Sequence, residues 1–271
     1  MRTRTAWLLG VFLTAFAAGD EGAGRLDPAR SAPRRTPGGF GPAADGKEGS
    51  HDLLEKQGWV YLADGRIPKA GDWNPLGLWH VCGARSPDGS PWTTLEDGGE
   101  RILRCAREEG SGPADLASNQ GFWDFDLHVE LRVEEGASGG ILLRGRYEIE
   151  IAATGEGKAA ADLAPGDLGG IAGFRAPSAG ASKGAGKWQV IDASIRGFRL
   201  TVRVNGEVVQ DDVEIPEALR HGTASAEAAE DSVSSPGPVV LRVEQGAIDA
   251  RNIRVRPRPA PAIWRARGPE D

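Results

Sequence analysis

Apolar and polar residues alternate with a period of two along much of the chain. The segment 124–133 (DFDLHVELRV) carries an apolar side chain at every odd position and a polar or charged one at every even position. The shorter segment 147–151 (YEIEI) repeats this pattern. Successive side chains of a β-strand point to opposite faces of the sheet, so both segments are predicted to be strands with one buried and one polar face.

A β-hairpin is predicted at 198–209 (FRLTVRVNGEVV), because Asn205-Gly206 suits a type I′ turn between two alternating runs. Two further strands are predicted at 238–246 (PVVLRVEQG) and 247–257 (AIDARNIRVRP). The chain contains 39 glycines and shows no long amphipathic helical pattern. Many short strands separated by turns indicate an all-β fold, an antiparallel β-sandwich or a barrel.

The N-terminus has the pattern of a cleavable signal peptide at 1–18. Arg2 and Arg4 precede a short apolar run at 6–18 (AWLLGVFLTAFAA), with small residues at Ala15 and Ala17 that suit a cleavage site. This run is too short to cross a bilayer, which needs about 20 apolar residues. The sequence therefore predicts a secreted or periplasmic protein without membrane insertion.

Composition divides the rest of the chain into three parts. The segment 19–56 is rich in Gly, Pro, Ala and Arg, lacks an apolar period, and is predicted to be a disordered leader or linker. The folded domain is predicted at 57–256, which is a usual size for a single sandwich. The segment 257–271 resembles the leader in composition and is predicted to be a flexible tail.

Charge and cysteine content limit the partners and the compartment. The chain carries 32 Lys and Arg against 39 Asp and Glu, a net charge of −7, which gives no electrostatic basis for binding nucleic acid or anionic lipid. The chain has two cysteines, Cys82 and Cys105, each in a strand-like segment. In an oxidising compartment they could form one cross-strand disulfide, and two buried free thiols are the alternative.

Several motifs along the domain occur in the order of one known family. Their sequences are GWVYLADGR at 58–66, FWDFDLHVELRV at 122–133, SGGILLR at 138–144, YEIEI at 147–151, GGIAGFRAP at 169–177 and RNIRV at 251–255. In this order and spacing the chain resembles the 3-keto-disaccharide hydrolase domain. That resemblance implies a concanavalin-like jelly roll, a carbohydrate substrate, and cleavage of the glycosidic bond of a 3-keto-glycoside.

The chain differs from the family pattern at several polar positions. These positions are Ser138, Gly139, Glu150, Ala172 and Gln189; Glu150 stands where the family has Gln, and Ala172 where it has Tyr. A second function therefore stays open, that of a non-catalytic, lectin-like carbohydrate-binding module that keeps the sandwich and has lost the active site.

Three charged residues form the predicted catalytic set. Glu148 and Glu150 are two apart on a strand, so both project from one face about 6–7 Å apart. Arg144 precedes them across a short turn. The carboxylates could act as base and acid on a sugar, and the arginine could stabilise a developing oxyanion. The alternative is an ordinary solvated sheet face with a surface ion pair.

Substrate binding is predicted to involve aromatic rings and nearby polar groups. Rings of Trp can stack on a pyranose, Arg and Lys can bind its oxygens, and a strand His could serve as a base. The predicted substrate-binding residues are Trp123, His128, Arg175, Lys187 and Trp188.

No cofactor is predicted from the sequence. The four His residues show no metal-ligand spacing. Asp124 and Asp126 could contribute to a Ca²⁺ site, but two carboxylates are too few to support one. The oligomeric state stays open.

Overall fold

A computed structural model describes residues 57–63, 73, 78–83, 101–108, 113–220 and 235–259. The described part of the chain contains strands and two short 3₁₀ helices, at Ala160–Asp162 and Glu217–Leu219, and no α-helix. The strands are β1 (Val60–Ala63), β2 (His80–Gly83), β3 (Arg101–Arg107), β4 (Ala114–Ala117), β5 (Asp124–Val133), β6 (Ser138–Leu143), β7 (Tyr147–Ala152), β8 (Trp188–Arg196), β9 (Arg199–Val204), β10 (Glu207–Glu214) and β11 (Val240–Arg258).

The strands form two antiparallel sheets that share β11. The large sheet has the order β10-β9-β8-β5-β11-β3-β2, and β1 also pairs with β11. The small sheet consists of β4, the first residues of β11, β6 and β7. The long strand β11 therefore begins in the small sheet and continues into the large one. The prediction of an all-β antiparallel sandwich is confirmed.

The core lies between the two sheets and follows the period of two. The odd positions of β5, from Phe125 to Val133, are at most 2% exposed. Tyr147, Ile149 and Ile151 of β7 belong to the same buried cluster. One face of each strand is thus removed from water, which is the main favourable contribution to folding.

The even positions of β5 from Asp124 to Glu130 are also buried, although their pattern predicted a polar, solvated face. Asp126 and His128 are each 2% exposed, and Glu130 is 9% exposed. Long side chains of β11 cover them: Arg256 and Arg258 bond to Asp126, and Arg251 bonds to Glu130. The aliphatic parts of these arginines exclude water, and their guanidinium groups satisfy the carboxylates.

The predicted hairpin turn is present between β9 and β10. Asn205 and Gly206 have φ angles of +51° and +88°, and Val204 pairs with Glu207 on either side of them. A positive φ at both central residues is the requirement of a type I′ turn.

The last strand extends beyond the predicted domain end at residue 256. Pro257 and Arg258 still pair with Phe125 and Asp124 of β5. The prediction that the flexible tail starts at residue 257 is therefore wrong for these two residues, since the ion pair between Arg258 and Asp126 (2.5 Å) holds the strand end. The predicted signal peptide, the predicted leader and the rest of the tail lie outside the described residues.

The disulfide considered for Cys82 and Cys105 is not formed. The β2–β3 register places Cys82 opposite Ile102, three residues before Cys105 on β3. Residues an odd number apart on a strand face opposite sides of the sheet, so Cys105 does not share the face of Ile102. Cys105 is a free, buried thiol within the core cluster. The alternative of a buried free thiol therefore holds for Cys105.

Candidate active site

Glu148 and Glu150 project from the outer face of the small sheet. They alternate along β7 with Ile149 and Ile151, which point into the core and are at most 1% exposed. Both carboxylates are partly buried, and the side chain of Glu148 is 14% exposed. The structure therefore brings together the two carboxylates of the predicted catalytic set, on a surface that a ligand can reach.

A glycine on the neighbouring strand makes room for this pair. Gly140 of β6 lies opposite Glu150 in the register, and a Cβ atom at Gly140 would overlap the carboxyl group of Glu148. The preceding Gly139 has a different role, because a Cβ there would overlap the backbone carbonyl oxygen of Arg242. Of these two glycines in SGGILLR, Gly140 therefore accommodates the site and Gly139 permits close strand pairing.

The cation beside the carboxylates is Arg242, from the first part of β11. It lies opposite Gly140 on one side and opposite Asp115 of β4 on the other. Its Nε and Nη2 atoms donate to the two carboxylate oxygens of Asp115 at 2.8 and 2.9 Å. Its Nη1 atom lies 3.5 Å from Oε2 of Glu148. Asp115 thus orients a guanidinium group whose remaining donors face Glu148.

Negative charge is in excess at this site, which affects its protonation. Burial and the charges of Glu148 and Glu244 raise the pKa of Glu150 to about 7. Burial also raises the pKa of Glu148, with Arg242 opposing this and Glu244 and Asp115 adding to it. A carboxyl group with a pKa near neutrality can take up and release a proton at physiological pH, as a general acid or base must.

Arg144, predicted to stabilise an oxyanion, lies elsewhere. It occupies the β6–β7 turn with a φ of +56° and is 1% exposed. Its Nε, Nη1 and Nη2 atoms donate to the carbonyl oxygen of Trp123 (2.5 Å), that of Gly197 (3.0 Å) and Oδ1 of Asp124 (2.5 Å). With every guanidinium nitrogen engaged and buried, Arg144 has a structural role, and its predicted convergence with Glu148 and Glu150 is wrong.

Trp123 shares this location, because its carbonyl oxygen accepts the bond from Arg144 Nε. The structure therefore places this predicted sugar-stacking residue beside Arg144 rather than beside the two carboxylates. Its ring is half-buried.

His128 and Trp188 lie on the outer face of the large sheet. Nδ1 of His128 is 2.7 Å from Oδ1 of Asp192. The ring of Trp188 lies under the guanidinium groups of Arg251 (4.0 Å) and Arg132 (4.9 Å). Both residues are parts of an ionic network on the sheet opposite to Glu148 and Glu150, so the structure does not bring them into one site with the carboxylates.

We call this surface the arginine face. Burial raises the pKa of Glu130, but the nearby imidazole of His128 and hydrogen bonds from Asn252 and Arg251 outweigh burial and lower that pKa to about 2. The arginine face comprises Asp126, His128, Glu130, Asp192 and Asp249 together with Arg132, Arg196, Arg251, Arg256 and Arg258.

Lys187 and Arg175 are exposed residues outside the carboxylate pair. Lys187 Nζ lies 3.4 Å from Oε1 of Glu156, and this pair is more than half exposed. Arg175 is exposed at the end of the segment 169–175, where it pairs through the backbone with Ile171. The same segment runs beside β7, because the backbone N–H of Ala172 donates to the carbonyl oxygen of Glu148 at 3.0 Å.

A small open pocket adjoins Glu148. It measures about 100 Å³ and lies between the start of β7, the segment 169–175 and the residues that follow β10. It is lined by Arg146, Tyr147, Glu148, Ile171, Ala172, Ile215 and Leu219.

Among the residues that the structure describes, no three or more His, Cys, Asp or Glu side chains come together in a way that could hold a metal ion. The carboxylates of Asp124 and Asp126, considered for Ca²⁺, bond to Arg144 and to Arg256 and Arg258, respectively. No helix in the described part of the chain is long and apolar enough to cross a membrane.

The sequence profile of one protein family matches residues 58–256, which is 199 of the 271 residues. That family is the 3-keto-alpha-glucoside-1,2-lyase-like domain. The chain belongs to this family. Membership of the 3-keto-alpha-glucoside-1,2-lyase-like family confirms the resemblance that the sequence motifs indicated. No curated protein sequence matches the chain.

Several solved structures are similar to this family member. A candidate glycosyl hydrolase from Parabacteroides distasonis is 14% identical with a TM-score of 0.51, and the match covers 77% of this chain and 97% of that one. A second such protein from the same organism is 17% identical with a TM-score of 0.46, covering 74% and 99%. A β-glucanase from Bacillus licheniformis is 12% identical with a TM-score of 0.41, covering 74% and 99%. The first of these supports the jelly-roll fold.

Sequence reasoning missed Arg242, Asp115, Gly140 and Glu244. The alternation in PVVLRVEQG was a sufficient signal that Arg242 lies on a polar face. Which strands lie beside it, and hence which carboxylates it faces, depends on the pairing of β11 with β4 and β6.

Proposed function

We propose that the protein cleaves the glycosidic bond of 3-keto-glycosides, with Glu150, Glu148 and Arg242 as its catalytic groups. The observation that carries the proposal is a partly buried carboxyl group with a pKa of about 7, flanked by a second carboxylate that lies 3.5 Å from a guanidinium group. Perturbed titration of this kind is typical of catalytic acids and bases.

The chemistry begins at carbon 2 of the sugar. A ketone at carbon 3 acidifies the C2–H bond, and Glu150, in its ionised form, removes that proton. The electron pair of the C2–H bond forms an enolate, whose oxygen accepts hydrogen bonds from Arg242. A guanidinium group held in place by Asp115 needs little reorganisation when this charge develops.

The enolate then expels the aglycone. The bond between C1 and the glycosidic oxygen breaks as the C1–C2 double bond forms, and the ketone at C3 is restored. The proton taken from C2 is held by the pair Glu150 and Glu148 and passes to the departing oxygen. Addition of water to the double bond yields the free 3-keto sugar, so atoms and electrons balance without an oxidant.

The test is turnover of 3-keto-trehalose and of a 3-keto-glucoside by purified protein, followed as release of glucose or of the aglycone. We expect Glu150→Gln to lower kcat/KM by about 10²–10⁴-fold, the usual contribution of general acid–base catalysis. The matched control is Glu207→Gln, which alters an exposed glutamate on β10 of the large sheet and should keep full activity. Full activity of Glu150→Gln would contradict the proposed site.

A non-catalytic carbohydrate-binding module is the competing function. It is favoured by the departure of Ser138, Gly139, Ala172 and Gln189 from the family pattern, and by the absence of Arg144 from the carboxylate pair. Sugar binding measured by calorimetry, with no turnover of either keto substrate, would establish this function instead.

We further propose that the protein acts outside the cytoplasm, on the basis of Arg2, Arg4 and the apolar run at 6–18. N-terminal sequencing of the protein recovered from its native host should show removal of about the first 18 residues, as expected for a signal peptide of this length. Recovery of the intact N-terminus would contradict export through this signal.

A further inference from the structure

The pocket beside Glu148 is walled mainly by apolar side chains. Ile171 and Ile215 are 3% and 1% exposed and belong to the core cluster, and Leu219 packs against that cluster. Ala172 adds a methyl group from the segment that runs along β7. Four of the seven lining residues are thus aliphatic and come from two separate chain segments, 169–175 and the residues that follow β10.

Two of the three polar side chains at the pocket are hydrogen-bonded within the chain, and the third, Glu148, has its Oε2 atom 3.5 Å from Nη1 of Arg242. The hydroxyl of Tyr147 donates to the carbonyl oxygen of Arg220 at 3.2 Å. The guanidinium group of Arg146 donates to the carbonyl oxygen and the hydroxyl of Ser235 at 3.0–3.2 Å. Glu148 remains as the polar group that the pocket can offer to a ligand, and it also belongs to the proposed catalytic pair.

From this arrangement we infer that the pocket binds the aglycone of the substrate, and that the aglycone is an apolar group such as a phenyl ring or a short alkyl chain. The inference rests on the proposed function, because it places the keto sugar over Glu150 and Arg242. Glu148 contributes both to that surface and to the pocket, so a glycosidic bond positioned at Glu148 directs the aglycone into the pocket.

A second sugar fits this pocket poorly. Each hydroxyl that leaves water without a hydrogen-bond partner costs about 1–3 kcal/mol, and a hexose presents several hydroxyls to a wall of aliphatic carbon. The size also argues against a hexose, since an apolar cavity of about 150 Å³ holds one benzene molecule; this open pocket of about 100 Å³ takes a phenyl ring with part of the ring outside its opening.

The chemistry of the proposed reaction favours the same class of substrate. A phenolate is a far better leaving group than a sugar alkoxide, because a phenolic hydroxyl has a pKa of about 10. An aryl aglycone therefore places less demand on proton delivery by the carboxylate pair.

Ala172 is the residue at which the inference can be tested. Its backbone is held by the hydrogen bond to Glu148, so a larger side chain at position 172 would fill the pocket without displacing β7. We expect wild-type protein to turn over p-nitrophenyl 3-keto-glucoside with a kcat/KM at least tenfold above that for 3-keto-trehalose. Ala172→Tyr should lower the value for the aryl substrate at least tenfold and reverse or remove the preference.

The control variant is Ala160→Tyr, at an exposed position in the first 3₁₀ helix, which should leave both values unchanged. Equal turnover of the two substrates by wild-type protein, or a preference for 3-keto-trehalose, would overturn the inference while leaving the proposed function intact.

A binding measurement separates failure of the inference from failure of the proposed function. We expect p-nitrophenol to bind wild-type protein, as shown by NMR shifts of the Ile171 and Ile215 methyl groups, and not to bind Ala172→Tyr. If neither keto substrate is turned over, the proposed function fails, and the p-nitrophenol result still decides on the pocket. Absence of these shifts in wild-type protein would overturn the inference.

Discussion

The outer faces of the two sheets carry similar residues and differ in how charge is balanced. On the arginine face of the large sheet, the single carboxylate of Asp126 forms ion pairs with three arginines, Arg196, Arg256 and Arg258. On the small sheet, Arg242 lies near both Asp115 and Glu148, while Glu244 and Glu150 add further negative charge. We call this second surface the acidic face, formed by Asp115, Glu148, Glu150, Arg242 and Glu244.

The direction of the pKa shifts follows from this balance. Burial raises the pKa of any carboxyl group because it disfavours the charged form. On the arginine face, guanidinium groups overcome burial, so the pKa values of Asp126 and Glu130 lie below their usual range. On the acidic face burial and repulsion act together, so the pKa values of Glu148 and Glu150 lie above it. A carboxylate that is paired with guanidinium groups stays ionised and stabilises the fold. A carboxylate that lies among other negative charges can instead take up and release a proton near neutral pH.

The largest expected effect on stability comes from removing the central anion of the arginine face. Asp126→Ala leaves Arg196, Arg256 and Arg258 without their shared partner. Removing one partner of a buried ion pair lowers the free energy of unfolding by about 3–5 kcal/mol. We expect a loss of this size in the free energy of urea-induced unfolding. The comparison is Asp115→Ala on the acidic face, whose partly exposed pair with Arg242 should be worth about 0–1 kcal/mol. Similar losses for the two variants would contradict the distinction between the faces.

Glu130 should stabilise the protein only above a certain pH. Its folded pKa of about 2 lies below the ordinary value of 4.5, so its contribution is present above about pH 4.5 and is lost as pH falls from there towards 2. The shift corresponds to roughly 3 kcal/mol at neutral pH. We expect Glu130→Gln to be less stable than wild type by about this amount at pH 7 and to approach it near pH 2 in chemical unfolding experiments. A difference that does not depend on pH would refute the role of its charge.

The adjacent glycines of β6 should respond differently to the same substitution. In Gly139→Ala the new Cβ meets the backbone of Arg242, which cannot move without disturbing strand pairing, so a loss of about 1–3 kcal/mol is expected. In Gly140→Ala the new Cβ meets the end of the flexible Glu148 side chain. We expect this variant to lose less than about 1 kcal/mol of stability but to lose activity, because Glu148 is displaced. Thermal unfolding and the keto-glycoside assay measure the two effects, and a fully active Gly140→Ala would argue against a catalytic position for Glu148.

The last expected effect on stability has the opposite sign and concerns Glu150. Its pKa is raised from 4.5 to about 7, so ionisation of the folded protein is unfavourable and stability falls as pH rises through this range. Glu150→Gln should be more stable than wild type by about 1–2 kcal/mol at pH 8, allowing for partial solvent screening, and equal to it near pH 4. In wild-type protein, kcat/KM should rise with pH through about 7 as Glu150 ionises. Stability lost in Glu150→Gln at pH 8 would contradict this account.

Alternation along the chain was sufficient to predict β5, β7 and the β9–β10 hairpin, whereas the two strands predicted at 238–246 and 247–257 form the single strand β11. The odd positions of β5 and the isoleucines of β7 lie where the period of two placed them. Asn205-Gly206 formed the predicted turn because few other dipeptides tolerate two positive φ angles. The order of the motifs also predicted the family. These features depend on local backbone geometry or on the order of motifs along the chain, and both can be seen in the amino-acid sequence itself.

The environment of each polar face could not be predicted in the same way. DFDLHVELRV and YEIEI have the same alternation, yet Asp126 faces arginines of β11 and Glu150 faces other acidic groups. Arg144 is close to Glu148 in sequence but turns inward to Asp124, while Arg242 is distant in sequence and lies 3.5 Å from Glu148. Likewise, the β2–β3 register rather than the strand-like context of Cys82 and Cys105 decided that no bridge forms.

By itself, then, the sequence determined that this protein is an antiparallel β-sandwich of the 3-keto-alpha-glucoside-1,2-lyase-like family with Glu148 and Glu150 on one polar face. The tertiary structure decided which charges surround that pair, which face is covered by arginines, and where a pocket opens. The physical reason is that alternation is a property of one strand, whereas electrostatic balance depends on partners that strand pairing brings from distant parts of the chain.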